Sequence, residues 1–245
     1  MDEIEEQDSV QVHNVVSTGN REIDQKMGGG IPVGSLTLME GESGAGKSVL
    51  ANQLTWGALR EGRRVVLYTT ENTFPSFVRH MISLNLDVTD YLLMGRLKLY
   101  PMPLSKPDWP VRRVLQAVEE SMRRLPADFF VVDSLTGLGA HALLRETDES
   151  SLIGFFEKLR EVCDQGKTVV TVVHSYAFDE RMLIRLRSLC DADLRLRIEE
   201  VGDQLVKVLE VAKVRGAEKK TGNIVAFDVE PGIGMRIIPV SKAKA

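Results

Sequence analysis

The sequence predicts an α/β fold: a mostly parallel twisted sheet flanked by helices, extended at one edge by antiparallel C-terminal strands. Three observations carry that expectation. Apolar runs of strand length alternate with amphipathic helical stretches between residues 36 and 174. A glycine-rich loop joins the first of these strands to a helix. After residue 190 the texture changes to alternating segments separated by short turns.

In chain order, 36-LTLM-39 reads as a buried strand and the helix from Lys47 to Leu59 follows it. The strand 64-RVVLYTT-70 is bounded by Gly62 and by a turn from Asn72 to Pro75, then a helix from Ser76 to Leu84 and a short strand, 97-LKLY-100. In 110-PVRRVLQAVEESMRRL-125 the proline takes the first helical position, where its missing N–H costs nothing. Val111, Val114, Leu115, Val118, Met122 and Leu125 form one apolar stripe. The run 129-FFVVD-133 is a strand that ends on a carboxylate. Helix 151-SLIGFFEKLREVC-163 and strand 168-TVVTVVH-174 complete the alternation. Segments 194-LRLRIEEV-201, 204-QLVKVLEVAKV-214, 224-IVAFDV-229 and 235-MRIIP-239 read as the antiparallel strands. Residues 13–240 are expected to form one domain, between an acidic tail at 1–12 and a short tail at 241–245.

Bulk properties narrow the function classes. With 245 residues, 43% hydrophobic and 27% charged, the chain has the composition of a globular protein with a sizeable core. A net charge of −4 speaks against a main role in coating nucleic acid. Cys163 and Cys190 show no paired spacing and read as buried thiols. The start, 1-MDEIEEQDSV-10, has neither a basic opening nor an apolar core, and no window reaches the ~18 apolar residues of a membrane span. A cytosolic protein is expected.

The loop 41-GESGAGKS-48 satisfies G-x-x-x-x-G-K-[ST]. Glycines let the backbone approach phosphate oxygens, successive N–H groups converge on the anion, and the positive end of the following helix adds to them. The expected ATP contacts are Gly41, Glu42, Ser43, Gly44, Ala45, Gly46, Lys47, Ser48 and Val49. Lys47 reaches the terminal phosphates and the Ser48 hydroxyl ligates Mg²⁺. Asp133, at the carboxyl end of its strand, suits a water-mediated metal contact; a capping role in a turn is the alternative. Glu71, ending 67-LYTTE-71, is a candidate to orient the attacking water, or else an ordinary turn carboxylate. His174 is either a γ-phosphate sensor or a satisfied strand-end histidine.

The run 18-TGNREIDQKMGGGIPVGSLTLMEGESGAGKS-48, the strand ending at Glu71, and 131-VVDSL-135 resemble the RecA superfamily, in its KaiC-like branch. The resemblance implies a RecA-like core and, through 211-VAKVRG-216, makes Lys213 and Arg215 trans-acting residues that reach a neighbour's γ-phosphate across a hexameric ring. From charge alone the pair reads as a solvated strand face. The segments 68-YTTENT-73, 84-LNLDVTDYLLMG-95, 187-RSLCDADLRLR-197 and the block from Val206 onward narrow the likeness to the FlaH-type accessory ATP-binding family of the archaellum, the archaeal swimming motor. That implies a homo-oligomer at the cytoplasmic face of a membrane motor, with the motor ATPase FlaI and scaffold subunits as partners.

One departure bears on activity. KaiC-like domains often carry two adjacent glutamates after the second strand, whereas here the order is Thr70-Glu71-Asn72. A lone carboxylate predicts tight ATP binding with slow or absent hydrolysis. Two other classes remain open: a KaiC-like self-phosphorylating ATPase, with Thr70, Thr73 or Ser134 as acceptor, and a DNA-dependent strand-exchange ATPase.

Overall fold

The computed structural model describes residues 14–102, 111–139, 146–216 and 222–238. The expected tails and the helix-opening Pro110 lie outside the described residues.

The chain opens with β1 (Val15–Val16), α1 (Arg21–Lys26) and β2 (Ile31–Pro32). The Asn20 side chain caps α1 by accepting from the Glu22 and Ile23 N–H groups. The core then alternates through β3 (Leu36–Gly41), α2 (Lys47–Arg60), β4 (Val65–Thr69), α3 (Phe74–Ser83), α4 (Thr89–Leu93) and β5 (Leu97–Pro101). It continues with α5 (Val111–Arg124), β6 (Phe129–Asp133), α6 (Thr136–Gly139), α7 (Glu146–Asp164), β7 (Thr168–His174) and α8 (Glu180–Leu189). Last come β8 (Ala192–Val201), β9 (Gln204–Val214), β10 (Ile224–Glu230) and β11 (Gly234–Ile237).

Nine strands form the main sheet in the order β11-β10-β9-β8-β3-β7-β6-β4-β5. Strands β8, β3, β7, β6, β4 and β5 are parallel; β9, β10 and β11 add antiparallel pairings beyond β8. The expected extension is therefore present, with β8 as its hinge: parallel to β3 on one side and antiparallel to β9 on the other.

Alternation along the strands sends side chains into two cores. Met39, Leu67 and Phe129 pack with Leu50 and Leu54 of α2 and Phe77 and Met81 of α3. Leu36, Leu38, Phe130 and Val132 pack on the other face with Leu115 of α5, Phe156 and Leu159 of α7 and Leu186 of α8. Covered on both faces, β3 has all six residues buried. Among the described residues no helix is long and apolar enough to cross a membrane.

Three elements differ from expectation. Helix α3 begins at Phe74, because Thr73 Oγ1 accepts from Ser76 N at 3.3 Å and Pro75 sits in the first turn; the anticipated turn to Pro75 is absorbed into the helix start. Helix α7 starts five residues earlier than Ser151, at Glu146. The connection after His174 holds a 3₁₀ turn and then α8, started by Asp179 Oδ1 accepting from Met182 N at 2.8 Å.

The β1–α1 segment lies directly on α2. A Cβ added at Gly57 would stand 1.9 Å from the Ser17 carbonyl oxygen, a backbone atom with no rotamer to retreat into. Gly57→Ala should therefore lower stability by about 2–3 kcal/mol, read as a lower urea midpoint. Gly154→Ala in α7, where nothing lies within 4 Å, is the control and should be neutral or stabilising by up to ~1 kcal/mol.

Candidate nucleotide site

Because the core strands are parallel, their carboxyl ends gather at one edge of the sheet. That edge collects Gly41 and its loop after β3, Glu71 after β4, Asp133 at the end of β6 and His174 at the end of β7. The strand ends meet: Thr70 N donates to Asp133 O at 3.0 Å, and Thr70 Oγ1 donates to Ser134 O at 3.0 Å.

The loop has no room for side chains at two of its glycines. A Cβ at Gly41 would fall 2.0 Å from the Leu196 carbonyl oxygen of β8, and one at Gly46 would fall 2.9 Å from the Phe227 ring of β10. Gly46 has φ 96° and is the N-cap of α2. Glu42 Oε1 accepts from Ile198 N at 2.7 Å, so the antiparallel extension holds the loop from the side.

Inside the cradle Lys47 is only 4% exposed, and its Nζ donates to Glu42 O at 2.6 Å. Burial pushes its pKa down, against the pull of Glu71, Asp133 and Glu42. Asp133 is 3% exposed and its Oδ1 has no hydrogen-bond partner. Desolvation first, and then repulsion from Glu71, push its pKa up to about 7; the Ser48 hydroxyl and Lys47 pull the other way. A buried orphan carboxylate oxygen beside a serine hydroxyl suits a divalent cation, so Ser48 and Asp133 fit Mg²⁺ as donors.

Glu71 is turned toward its neighbours. Its Oε1 accepts from Ser134 Oγ at 2.9 Å and meets His174 Nε2 at 2.9 Å. The His174 ring stands edge-on to Tyr176, and its backbone N donates to Thr136 Oγ1 at 2.7 Å. Both alternatives for His174 thus share one position, a strand-end ring with a partner at the cavity wall.

These groups line a cavity of about 280 Å³ formed by Ser43, Gly44, Gly46, Lys47, Ser48, Val49, Glu71, His174, Lys207 and Val229. The last two were not among the sequence candidates. Lys207 pairs with Ile198 of β8 and Phe227 of β10, so register alone brings a second cation to the loop. Its nearest carboxylate is Asp228 Oδ1 at 3.6 Å. Glu71, Asp133 and His174 lie on one side of β3 and Lys207 on the other. The first three suit the γ-phosphate and metal end, and Lys207 suits the other end of the polyphosphate.

Lys213 and Arg215 stand apart from this cavity. Val214 pairs with Ala192, which pairs with Thr37, whereas Gly41 pairs with Leu196. Four residues of strand, about 13 Å, separate the two levels. Within its own chain the pair therefore lies toward the opposite edge of the sheet from the loop. Lys213 Nζ donates to Arg187 O at 3.1 Å and to Cys190 O, while the Arg215 side chain is 57% exposed.

The KaiC ATPase family model matches residues 16–242. The chain belongs to the KaiC ATPase family. Among relatives of this KaiC-family chain, the archaeal flagellar ATP-binding protein FlaH of Sulfolobus acidocaldarius is 31% identical, over 94% of this chain and 100% of its own length, which places the chain among FlaH homologues. The crystal structure of flagellar accessory protein FlaH from Methanocaldococcus jannaschii matches with TM-score 0.79 at 25% identity, covering 93% of this chain and 99% of that one. A KaiC-like protein from Pyrococcus horikoshii, at 20% identity and TM-score 0.76, shares the fold.

Two outcomes test the site. Lys47→Ala should abolish ATP binding by isothermal titration calorimetry; retained affinity would contradict the cradle. Asp133 has a folded pKa above its unfolded value, so its cost to the nucleotide-free fold is absent below about pH 4, grows as pH rises toward 7, and then levels. Asp133→Asn should accordingly raise the thermal midpoint of nucleotide-free protein more at pH 8 than at pH 5, at about 1.4 kcal/mol per pKa unit. An equal gain at both values would remove the buried-carboxylate account.

Proposed function

We propose that the protein is an ATP-binding assembly component of the archaellum motor, forming a nucleotide-dependent hexameric ring that docks at the cytoplasmic face and modulates the motor ATPase FlaI. The observation that supports this best is the separation of parts within one chain. The phosphate cavity holds Lys47 and Lys207, while Arg215, 57% exposed and facing Asp191 at 3.6 Å, lies at the other end of the sheet, open to a second copy. Similarity to an archaeal flagellar ATP-binding protein and to a flagellar accessory protein supports the archaellum and the ATP.

In this reading the loop amides, Lys47 and Lys207 bind the polyphosphate, and Lys213 and Arg215 form the trans-acting side of the interface. Ser48 and, through water, Asp133 would hold Mg²⁺, which would supply positive charge to the phosphates. His174 leaves Glu71 for a γ-phosphate oxygen and so distinguishes ATP from ADP. Hydrolysis is slow or absent, because Glu71 is a single carboxylate and Ser134 Oγ still occupies its Oε1 after His174 has moved. A switch of this kind needs only a difference in nucleotide affinity between free and assembled states.

A second reading has its own observation. Ser134, a residue only 1% exposed, already donates through Oγ to Glu71 Oε1, the arrangement of a hydroxyl beside a base. Transfer of the γ-phosphoryl group to Ser134 Oγ, with the proton going to Glu71 and ADP leaving, would be a self-phosphorylation. Mass mapping after incubation with ATP decides it.

The assembly reading predicts that Arg215→Ala leaves the ATP affinity of the single subunit within about twofold. Its ATP-dependent association, followed by sedimentation velocity, should weaken by about tenfold or more, equivalent to ~1.4 kcal/mol. Unchanged association would retire the interface role.

A further inference from the structure

The edge of the sheet opposite the phosphate loop carries a second concavity. It lies where β4, β5 and β6 begin and has a volume of about 370 Å³. Arg64, Arg96 and Lys98 line it, together with Met94, Leu125 and Pro126. Helix α2 separates it from the nucleotide cavity: Lys47 opens the helix and Arg60 ends it, 14 residues or about 21 Å further on.

Three cations in one hollow repel one another, and only one of them is met by the chain itself. Arg96 Nη2 donates to Leu59 O at 3.2 Å and to Arg63 O at 3.4 Å, at the end of α2, and its guanidinium stands 5.5 Å from the centre of the Tyr91 ring. The end of α5 is answered too, because Lys167 Nζ donates to Met122 O at 2.5 Å and to Leu125 O at 3.0 Å. Both negative helix ends beside the hollow therefore already have their cations. Asp128, next to the hollow, is spent on main chain: its Oδ2 accepts from Arg64 N at 2.9 Å, and its own N donates to Arg64 O at 2.9 Å. Glu61 pairs with Arg63 at 3.1 Å.

Arg64 and Lys98 are left over. Among the described residues the Arg64 guanidinium and the Lys98 ammonium have no hydrogen bond or ion pair, and no carboxylate lines the hollow. Their main chains are nonetheless fixed, Arg64 by Asp128 and Lys98 by its pairing with Val66 of β4. A lysine on an edge strand commonly serves only to keep other strands away. Here it shares a preformed cavity with a second unpaired cation. Met94 beside them is 61% exposed, and Leu93 before it is 81% exposed. One exposed apolar residue is ordinary; two in succession beside two unpaired cations make a surface complementary to carboxylates and apolar side chains together.

We infer that this hollow is a docking site for an acidic segment of a partner protein, whose carboxylates meet Arg64 and Lys98 and whose apolar side chains cover Leu93 and Met94. An anionic bilayer suits it less well: the site is concave, and Asp87 and Asp90 stand exposed in and just before α4. Its separation from the phosphate loop leaves the hollow open whether or not nucleotide is bound, and the inference does not depend on the assembly reading.

Selection of short random peptides displayed on phage against the full chain tests the site. ATP and Mg²⁺ are kept present, so that the cations of the nucleotide cavity are not the ones that capture acidic peptides. The recovered peptides should be enriched in Asp and Glu interspersed with Leu, Ile or Phe. Synthesised and followed by fluorescence polarisation, they should bind at least tenfold more weakly to the Arg64→Glu/Lys98→Glu variant and about threefold more weakly to Met94→Ser. Arg124→Glu, at an exposed arginine outside the hollow, should leave their affinity unchanged. The charge-reversed variant should keep the parent's thermal midpoint; where it does not, the Arg64→Gln/Lys98→Gln variant replaces it and should still lose affinity. Peptides without acidic enrichment, no recovered peptide, or equal affinity for parent and variant would overturn the site. Binding of the parent to phosphatidylserine vesicles that is lost in the charge-reversed variant would overturn it as well, by assigning the surface to a bilayer.

Discussion

A lysine ammonium buried at the carboxyl edge of the sheet, with a backbone carbonyl where a counter-ion would be, is the constraint on which the rest of the structure depends. Burying a cation is costly unless an anion meets it, and the pull of Glu71, Asp133 and Glu42 only partly offsets the burial. The site is thus electrostatically incomplete by itself. A polyphosphate with a divalent cation supplies both missing charges at once. The parallel sheet collects four strand ends at one edge: the loop after β3, Glu71 after β4, Asp133 on β6 and His174 on β7.

The antiparallel extension gives the cradle a second wall. Leu196 and Phe227 leave space only for glycine at two loop positions, Ile198 N holds Glu42, and Lys207 enters the cavity from β9. The same extension carries Arg215 toward the other edge. One hairpin system therefore touches the phosphate loop at one end and presents a cation to solvent at the other. Contacts from Glu40 through Arg187 to the carbonyl that Lys213 holds run between the two. Side-chain contacts within one chain therefore connect the strand that carries the phosphate loop with the strand end that carries Arg215.

Much of this was legible in the residues, for identifiable reasons. The loop chemistry constrains residue types so tightly that Gly41 to Ser48 could be placed without a fold, and β3, β6 and β7 announce themselves as uninterrupted apolar runs because both faces are covered. Asp133 followed from its place at a strand end. Lys207 was not legible, since nothing local marks it: it reaches the cavity through the pairing of β8, β9 and β10. Helix α8 escaped notice because its ten residues are short and arginine-rich, and its start depends on a single capping contact from Asp179. The engagement of Lys213 was equally hidden, because it depends on where α8 ends.

In the proposed assembly role, ATP is held as a signal rather than consumed as fuel. Steady-state ATP turnover by the purified protein, with Glu71→Gln as control, tests it most directly. The account predicts turnover far below the usual enzymatic range of ~1–10³ per second, differing little between the two proteins. Turnover of about 1 per second or faster, lost in the variant, would contradict it and make the protein a working ATPase.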